Sequence, residues 1–264
     1  MGIHFHFADA YEDTGSPLHH LDARVKVVLA FLMILLVALT PMGAFGAYIG
    51  FFAITMAGAL IARLDPLMVI RRSFVALPFA AAAITLVFTM PGPVLGTVPL
   101  LGWTISAVGL LRFVSIMFKS MISAQVAVLL IASTHFTDML WALGTLRVPK
   151  VLVAVVSFMY RYLFLIAEEA VRLSRARDSR SAVIGGHPAY GGSLIFRART
   201  TGHLIGSLFA RSFARSERVY QAMAARGYQG EVRLLDPPPL RARDVLVGLI
   251  PLVIGCGLLV ASLW

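Results

Sequence analysis

Charged residues are scarce in this chain of 264 residues, and acidic residues are scarcer than basic ones. Only 14% of the residues are charged, against about 25% in an average soluble domain, and 59% are hydrophobic. This composition excludes a disordered chain, a collagen-like fibre and an ordinary soluble enzyme, because only helices that face lipid can expose so much apolar surface. The sequence therefore predicts an integral membrane protein.

Cysteine is nearly absent, and the N-terminus has no signal-peptide pattern. The single cysteine, Cys256, lies in an apolar run and excludes an internal disulfide. The first residues, MGIHFHFADAYEDTGSP, are acidic and lack the basic and then apolar layout of a signal peptide. We therefore expect the first hydrophobic run to be retained as a membrane span.

Five segments are apolar enough to cross a membrane, which takes about 20 residues of helix. Turn sequences separate them: Thr40-Pro41-Met42-Gly43 follows the first, and Pro91-Gly92-Pro93 ends the third because proline cannot continue a helix. The predicted spans are Val25–Thr40, Ala44–Ala62, Phe74–Met90, about Ser106 to Ser133, and Val245–Trp264.

Basic residues indicate the orientation of these spans. The Pro41 turn and the Pro91–Gly102 loop contain none, whereas Thr134–Arg243 holds 16 of the 23 basic residues and seven of the 13 acidic ones. By the positive-inside rule, the N-terminus and Thr134–Arg243 are predicted to be cytoplasmic, and an odd number of spans then puts the C-terminus outside. We divide the chain into an N-terminal segment with four spans, a cytoplasmic coupling region and a last span, at residues 1–133, 134–243 and 244–264.

Two basic residues, Arg112 and Lys119, fall inside the fourth span. Charge within a span is costly and usually faces protein or a cavity. Both side chains have long apolar stems that can reach a helix–helix contact or the membrane surface. We therefore predict a structural role for both rather than an ion path.

Two segments in the basic region, Val151–Ala167 with the residues after it and Gly202–Gly227, are apolar on one face only. At 100° per residue, one face of each carries the arginines: Arg161, Arg172 and Arg175 in the first, and Arg211, Arg215, Arg218 and Arg226 in the second. The opposite faces carry Met159, Leu163 and Ile166, and Phe209, Phe213 and Tyr220. This pattern predicts two long amphipathic helices at the inner membrane surface, and a sixth span at Val151–Ala167 stays an alternative.

Each of these predicted helices ends in an arginine between small residues. The triplets are Ser179-Arg180-Ser181 and Ala225-Arg226-Gly227. Small neighbours allow another surface to approach closely, and a guanidinium can bind carboxylates or carbonyls of a partner with two parallel hydrogen bonds. One such triplet would be explained by the favourable interaction of arginine with a helix C-terminus. Two triplets at matching places favour docking on partner proteins.

These motifs resemble the transmembrane (T) component of energy-coupling factor transporters, in the cobalt and nickel branch. The resemblance rests on SPLHHLDARVKVVLA (Ser16–Ala30), HFTDMLWAL, YRYLFLIAEEAVRLSRA and AMAARG (Ala222–Gly227), and it covers nearly the whole chain. The two triplets are similar to the family's Ala-Arg-Gly-type coupling signatures. The first triplet departs from that signature in its serines, and Ala23 stands where the family's opening motif has proline.

The resemblance implies a multi-pass protein of the bacterial inner membrane. It would join two cytoplasmic ABC-type ATPase subunits to a separate membrane subunit that captures the substrate, the S subunit. The ATPase partners would use the ATP, this chain would bind no cofactor of its own, and the transported ion is expected to be Co²⁺, with nickel or vitamin transport as alternatives. In keeping with this division of labour, the sequence has no G-x-x-x-x-G-K-[ST] phosphate loop.

No metal site is predicted on the chain. His4, His6, His19 and His20 cluster near the N-terminus, and imidazole binds cobalt and nickel. However, no cysteine and no helical His-x-x-x-His pattern accompanies them, so His19 and His20 are expected to pack or cap within the opening motif. His135 is expected to make a local polar contact.

Two other function classes stay open as alternatives. A membrane-embedded enzyme would need convergent acid, base or metal residues, and we find none: Glu168-Glu169 lies one turn before Arg172, which predicts an ion pair within the helix. A nucleic-acid or anionic-lipid binder could hold phosphates with the arginine faces. Because the positive-inside rule already explains that charge, we favour a non-enzymatic transporter subunit without a nucleic-acid partner.

Overall fold

A computed structural model describes residues 11–98, 103–180, 194–230 and 239–264. These ranges are helical apart from one short hairpin, which confirms the predicted all-α class. The helices are α1 (Ala23–Leu39), α2 (Phe45–Ile61), α3 (Pro66–Ser73), α4 (Leu77–Ala81), α5 (Thr85–Thr89), α6 (Ala107–Ser133), α7 (Phe136–Thr145), α8 (Lys150–Arg180), α9 (Leu194–Ala225) and α10 (Ala242–Leu263). The strands are β1 (Val94–Val98) and β2 (Trp103–Ser106).

The hairpin replaces the plain loop that was expected between the third and fourth spans. Strands β1 and β2 are antiparallel, with Thr97 opposite Thr104 and an irregularity in the register between Val94 and Gly96. The chain enters β1 directly after Pro91 and Pro93, which cannot continue the preceding helix. No other strand occurs in the described ranges, so the hairpin is a small addition to a helical protein.

The third predicted span, Phe74–Met90, is an irregular helical run. Single turns of 3₁₀ helix, Phe74–Ala76 and Ala82–Ile84, precede α4 and α5. Pro78 follows the first of these turns and has no N–H to bond the carbonyl four residues earlier. The hydroxyl of Thr85 bonds back to the Ala82 carbonyl (3.2 Å), a contact that competes with regular helical bonding.

Three described helices are long and apolar enough to cross a membrane by themselves: α6, α8 as far as Ser179, and α10. Helices α1 and α2 have 17 residues each, or about 25 Å, somewhat less than the roughly 30 Å hydrocarbon core. The apolar first half of α8 thus meets the length criterion, although we assigned this segment to the membrane surface. The count of five spans stays a prediction.

The described residues form two compact units. Residues 11–146 and 239–264 form a bundle whose core lies between α1, α2, α6 and α10, with Met33, Val37, Tyr48, Phe51 and Ile122 at its centre. Residues 147–230 form the second unit, which contains α8 and α9. Helix α7 belongs to the bundle, because it packs on α1. The second unit begins at Arg147, where φ is +69°.

Glycine allows close helix contacts inside the bundle. A Cβ on Gly109 of α6 would collide with the carbonyl oxygen of Leu86 in α5, and a Cβ on Gly50 of α2 would lie 2.7 Å from Leu258 of α10. Small residues at such contacts let the backbones of membrane helices approach, and van der Waals packing then holds them together.

Two lysines connect α1 and α6 reciprocally. Lys26, near the start of α1, donates to the carbonyl of Ser133 at the end of α6 (2.8 Å). Lys119 of α6 donates to the carbonyls of Ala38 (3.0 Å) and Thr40 (2.5 Å) at the end of α1. Each ammonium thus satisfies carbonyls that the other helix cannot bond internally and complements the negative end of its dipole. The predicted structural role of Lys119 is confirmed, and Arg112 is half-buried.

Candidate functional site

The second unit consists of two long helices that run antiparallel. Helix α8 has 31 residues and α9 has 32, so each is about 46–48 Å long. The rings of Phe158, early in α8, and Tyr228, just past the end of α9, are in edge contact with centroids 6.0 Å apart. Arg177, late in α8, lies 3.4 Å from the hydroxyl of Thr201, early in α9.

The predicted apolar faces of both helices are largely uncovered by the described part of the chain. Met159 and Leu163 of α8 are exposed, and Phe209 and Phe213 of α9 are 72% and 65% exposed. Between the helices lies an apolar groove of about 490 Å³. Its lining includes Val155, Phe158, Met159 and Ile166 of α8, and Phe209, Phe213, Val219 and Met223 of α9. Apolar surface of this extent is typical of contact with lipid or another protein.

A buried ion pair joins the two helices near the middle of their contact. Glu169 of α8 is only 7% exposed. Its Oε2 accepts from Nη2 of Arg215 in α9 at 2.6 Å, and its Oε1 lies 3.8 Å from Nη1 of Arg211. The ion pair that we predicted within α8, between Glu168-Glu169 and Arg172, is therefore wrong for Glu169 and is not formed by Glu168 among the described residues. Arg172 is exposed, where an ion pair gains little, whereas Glu169 faces α9.

The second triplet, Ala225-Arg226-Gly227, forms the C-terminal cap of α9. The N–H of Gly227 donates to the Ala224 carbonyl and the N–H of Tyr228 to the Met223 carbonyl, both at 3.0 Å. These two bonds form a Schellman motif, in which Arg226 is the C-cap and the next residue must be left-handed. Gly227 has φ +81°, a conformation that glycine adopts without strain.

The Schellman motif leaves the Arg226 side chain pointing away from the helix contacts. Its side chain is exposed, and among the described residues it has no ion-pair or hydrogen-bond partner. Ala225 adds only a methyl group, and a Cβ on Gly227 would meet nothing within 4 Å. A partner surface can therefore approach the helix end closely around one guanidinium with five N–H donors.

The first triplet is described only in part. Helix α8 continues to Arg180, of which the structure describes the backbone alone, and Ser181 lies outside the described residues. Ser179 is exposed and donates its hydroxyl proton to the Ala176 carbonyl (3.0 Å). Because α8 and α9 are antiparallel, the two triplets lie toward opposite ends of the pair.

The opening motif has a structural role in the bundle. Ser16 and His19 are hydrogen-bonded (2.6 Å), and Asp22 caps α1 by accepting from the N–H of Arg24 (2.8 Å). The guanidinium of Arg24 lies over the ring of Trp141 in α7, 4.1 Å from its centroid. These contacts fasten the segment before α1 to the neighbouring helices.

Further contacts extend this fastening to α2 and α7. The hydroxyl of Thr14 donates to the Ala62 carbonyl at the end of α2 (2.6 Å). His135 stacks on Tyr11, with centroids 3.6 Å apart, so its contact is with an aromatic ring. The described residues contain no group of three or more His, Cys, Asp or Glu side chains that could hold a metal. His4 and His6 lie outside the described residues.

The fold defines a helical membrane protein that carries a pair of long amphipathic helices. The sequence profile of the cobalt transport protein family (CbiQ) matches residues 14–235. The chain therefore belongs to this family, and its resemblance to the T component of energy-coupling factor transporters is confirmed.

Individual relatives agree with this membership. The chain is 30% identical over 262 residues to the energy-coupling factor transporter transmembrane protein EcfT of Exiguobacterium sibiricum, covering 94% of this chain and 95% of that protein. It is 34% identical over 121 residues to the cobalt transport protein CbiQ of Rhodobacter capsulatus, covering 46% of each. An uncharacterised protein of Methanocaldococcus jannaschii is 24% identical over 253 residues, covering 94% of this chain and 84% of that protein.

Proposed function

We propose that this chain is the coupling subunit of an ATP-driven Co²⁺ importer in the bacterial inner membrane. It would connect two cytoplasmic ABC-type ATPase subunits to a separate S subunit and would catalyse no reaction itself. Membership of the cobalt transport protein family supports this proposal, as does similarity along nearly the whole chain to a protein named as an energy-coupling factor component. The single observation that carries it is the exposed Arg226, held at the end of α9 by a Schellman motif.

The proposed contact is an insertion of each triplet arginine into a groove on one ATPase subunit. Arg226 is already free of partners among the described residues, so docking breaks no contact within the chain. Its backbone is fixed by Gly227, so little backbone freedom is lost on binding. A groove lined by carboxylates or carbonyls could bond the planar guanidinium with two parallel hydrogen bonds, which lysine cannot reproduce.

Arg180 is proposed to make the equivalent contact on the second ATPase subunit. It ends α8, at the opposite end of the helix pair from Arg226. A single chain would thereby hold two ATPase subunits at once, and movement between these subunits on ATP hydrolysis would act on α8 and α9. The apolar groove between the helices offers a surface on which such movement could reach the S subunit.

Co²⁺ is proposed as the cargo rather than as a ligand of this chain. Capture of the ion is assigned to the S subunit, because the resemblance to energy-coupling factor transporters implies that division of labour. Uptake of ⁵⁷Co²⁺, ⁶³Ni²⁺ and a labelled vitamin by cells that express the full transporter distinguishes the proposed cargo from the alternatives. Uptake of Co²⁺ alone supports the proposal, and uptake of a vitamin without either metal contradicts it.

The docking role is tested by changing Arg226→Ala in the complete transporter. Loss of one partner of a desolvated charged pair costs about 2–5 kcal/mol, and each factor of ten in affinity is about 1.4 kcal/mol. We therefore expect ATPase binding to weaken by roughly thirtyfold or more, with Arg180→Ala similar and the double variant weaker still.

The matched control is Arg218→Ala, which removes an exposed arginine from the same helix two turns earlier. This variant should retain its ATPase subunits, as measured by their co-purification with the tagged chain. Arg226→Lys should behave like the alanine variant if two parallel hydrogen bonds are needed. Parental assembly and uptake in both single variants and the double variant would show that these arginines serve only the helix ends.

A further inference from the structure

The Glu169–Arg215 ion pair lies at the same chain distance from both triplet arginines. Arg180 follows Glu169 by 11 residues, and Arg226 follows Arg215 by 11 residues. Eleven residues make about three turns, or roughly 16 Å, so each arginine lies close to the helix face that carries its own ion-pair partner. Because α8 and α9 are antiparallel, the two arginines extend in opposite directions from the pair, which thus lies midway between them.

We infer that Glu169 is a positioning residue that fixes α9 on α8, so that Arg180 and Arg226 are held at a set separation and angle. This inference rests on the proposed function, because it assigns those arginines to two partners. The expected displacement follows from the geometry. If a helix rotated by about 10° about the ion pair, its terminal arginine, roughly 16 Å away, would move by roughly 3 Å. A shift of that size exceeds the tolerance of a hydrogen bond.

The Glu169–Arg215 contact, which we call the lock, depends more strongly on the relative position of α8 and α9 than the apolar contacts around it do. The groove that Arg215 helps to line is otherwise mostly apolar, with Phe158 and Phe209 among its side chains, and apolar contacts of this kind change little when two helices shift. Glu169 is buried and bonds Arg215 at 2.6 Å, and such a charge-assisted bond depends strongly on distance and direction. Nη1 of Arg215 is buried and has no hydrogen-bond partner in the described ranges, so Glu169 is the acceptor that this guanidinium depends on.

In the part of the chain that the structure describes, the Glu169 carboxylate, and not that of the neighbouring Glu168, contacts arginines of α9. Arg211 lies one turn before Arg215 on α9, and its Nη1 is 3.8 Å from the other carboxylate oxygen. Glu168, the neighbouring acid on α8, is exposed and makes no ion pair with α9 among the described residues. A buried charged group that can be satisfied in one arrangement is a known means of specifying helix register.

The test is a charge swap in the complete transporter. Glu169→Arg should reduce Co²⁺ uptake at least tenfold and weaken co-purification of the ATPase subunits, because both docking arginines remain present but are no longer held at the separation and angle that their partners require. The double variant E169R/R215E should restore uptake to within about threefold of the parent. Glu168→Arg, the same charge change one residue away at an exposed site, should leave uptake unchanged.

A second measurement reports the helix pair directly. Spin labels at Ala176 and Ala222, both exposed, are introduced into a Cys256→Ser chain within the complex. The distance distribution between the labels should broaden or shift in Glu169→Arg, return in the charge swap and stay parental in Glu168→Arg. If Glu169→Arg does not assemble, the isosteric Glu169→Gln is measured in its place, with the same expectation in smaller degree.

The outcomes separate this inference from the proposed function. If Glu169→Arg and Glu168→Arg give the same uptake and the same parental distances, the lock is overturned, whatever Arg226→Ala does. If the swap restores neither distance nor uptake, a specific Glu169–Arg215 lock is overturned as well. If the spin-label distances change in Glu169→Arg and return in the charge swap, but Arg226→Ala retains its ATPase subunits, the role of Glu169 is supported and the docking proposal fails.

Discussion

The most informative single perturbation of the bundle is Lys26→Met. The Lys26 ammonium is buried, with the residue only 6% exposed, and donates to the carbonyls of His19 (3.0 Å) and Ser133 (2.8 Å). Methionine has nearly the same length and volume, so the change removes the donor without opening a large cavity. Both carbonyls then lose a charged partner.

The magnitude follows from these two bonds. A buried acceptor left without its partner costs about 1–3 kcal/mol, which gives roughly 2–6 kcal/mol for two carbonyls. Removal of the desolvated ammonium returns part of this amount. We expect a net loss of about 2–4 kcal/mol of stability, and a chain of this size loses roughly 2–4 °C of melting temperature per kcal/mol. The melting temperature should therefore fall by about 5–15 °C.

The assay is thermal unfolding in lipid nanodiscs, followed by tryptophan fluorescence. Trp141 lies under Arg24, two residues before Lys26 in the chain, and contributes to the signal together with Trp103 and Trp264. The control is Arg71→Met, which removes an exposed positive charge in α3, so that any effect on the positive-inside pattern is matched. Equal melting temperatures for the two variants would refute the reasoning that the buried ammonium stabilises the bundle.

Two further predictions concern packing and orientation. Gly109→Ala should destabilise the bundle by about 1–3 kcal/mol, as expected for overpacking, because its Cβ would collide with the Leu86 carbonyl; Gly257→Ala, whose Cβ would meet nothing within 4 Å, is the thermal-unfolding control. In a Cys256→Ser chain, a cysteine at the exposed position Ser207 should resist an impermeant maleimide added to intact cells and react after lysis. Efficient labelling of the intact cells would reverse the assigned orientation.

The sequence predicted the helix bounds well where long apolar runs or apolar faces mark the helix. Helix α2 lies one residue inside the predicted span Ala44–Ala62 at either end, and α6 starts within one residue of its predicted boundary. At Phe74–Met90 hydropathy predicted a span but not the irregular helix that the structure shows there. Hydropathy averages over such a segment and misses local features such as Pro78 and the bond from the Thr85 hydroxyl to the Ala82 carbonyl.

The candidate site was predictable in part. The sequence predicted both amphipathic helices and their terminal arginines, and the docking role of those arginines stays a prediction. The Schellman motif could have been predicted from Gly227 after a helical pattern. Glu169 was misassigned because i, i+3 spacing favoured Arg172. Its position about 80° from Arg161, toward the apolar face, was the overlooked signal, since a carboxylate there needs a buried partner.

The reciprocal lysines have a consequence for how the protein is made. Lys26 and its acceptor Ser133 are 107 residues apart, and Lys119 is 81 residues from Ala38. During synthesis α1 enters the bilayer long before α6 exists, so neither contact between the two helices can form until α6 has been inserted. Both contacts then form in one step, when the two helices meet. The pairing of α1 with α6 is thereby tied to the arrival of the fourth predicted span, and in an unfinished chain the Lys26 ammonium lacks its Ser133 acceptor.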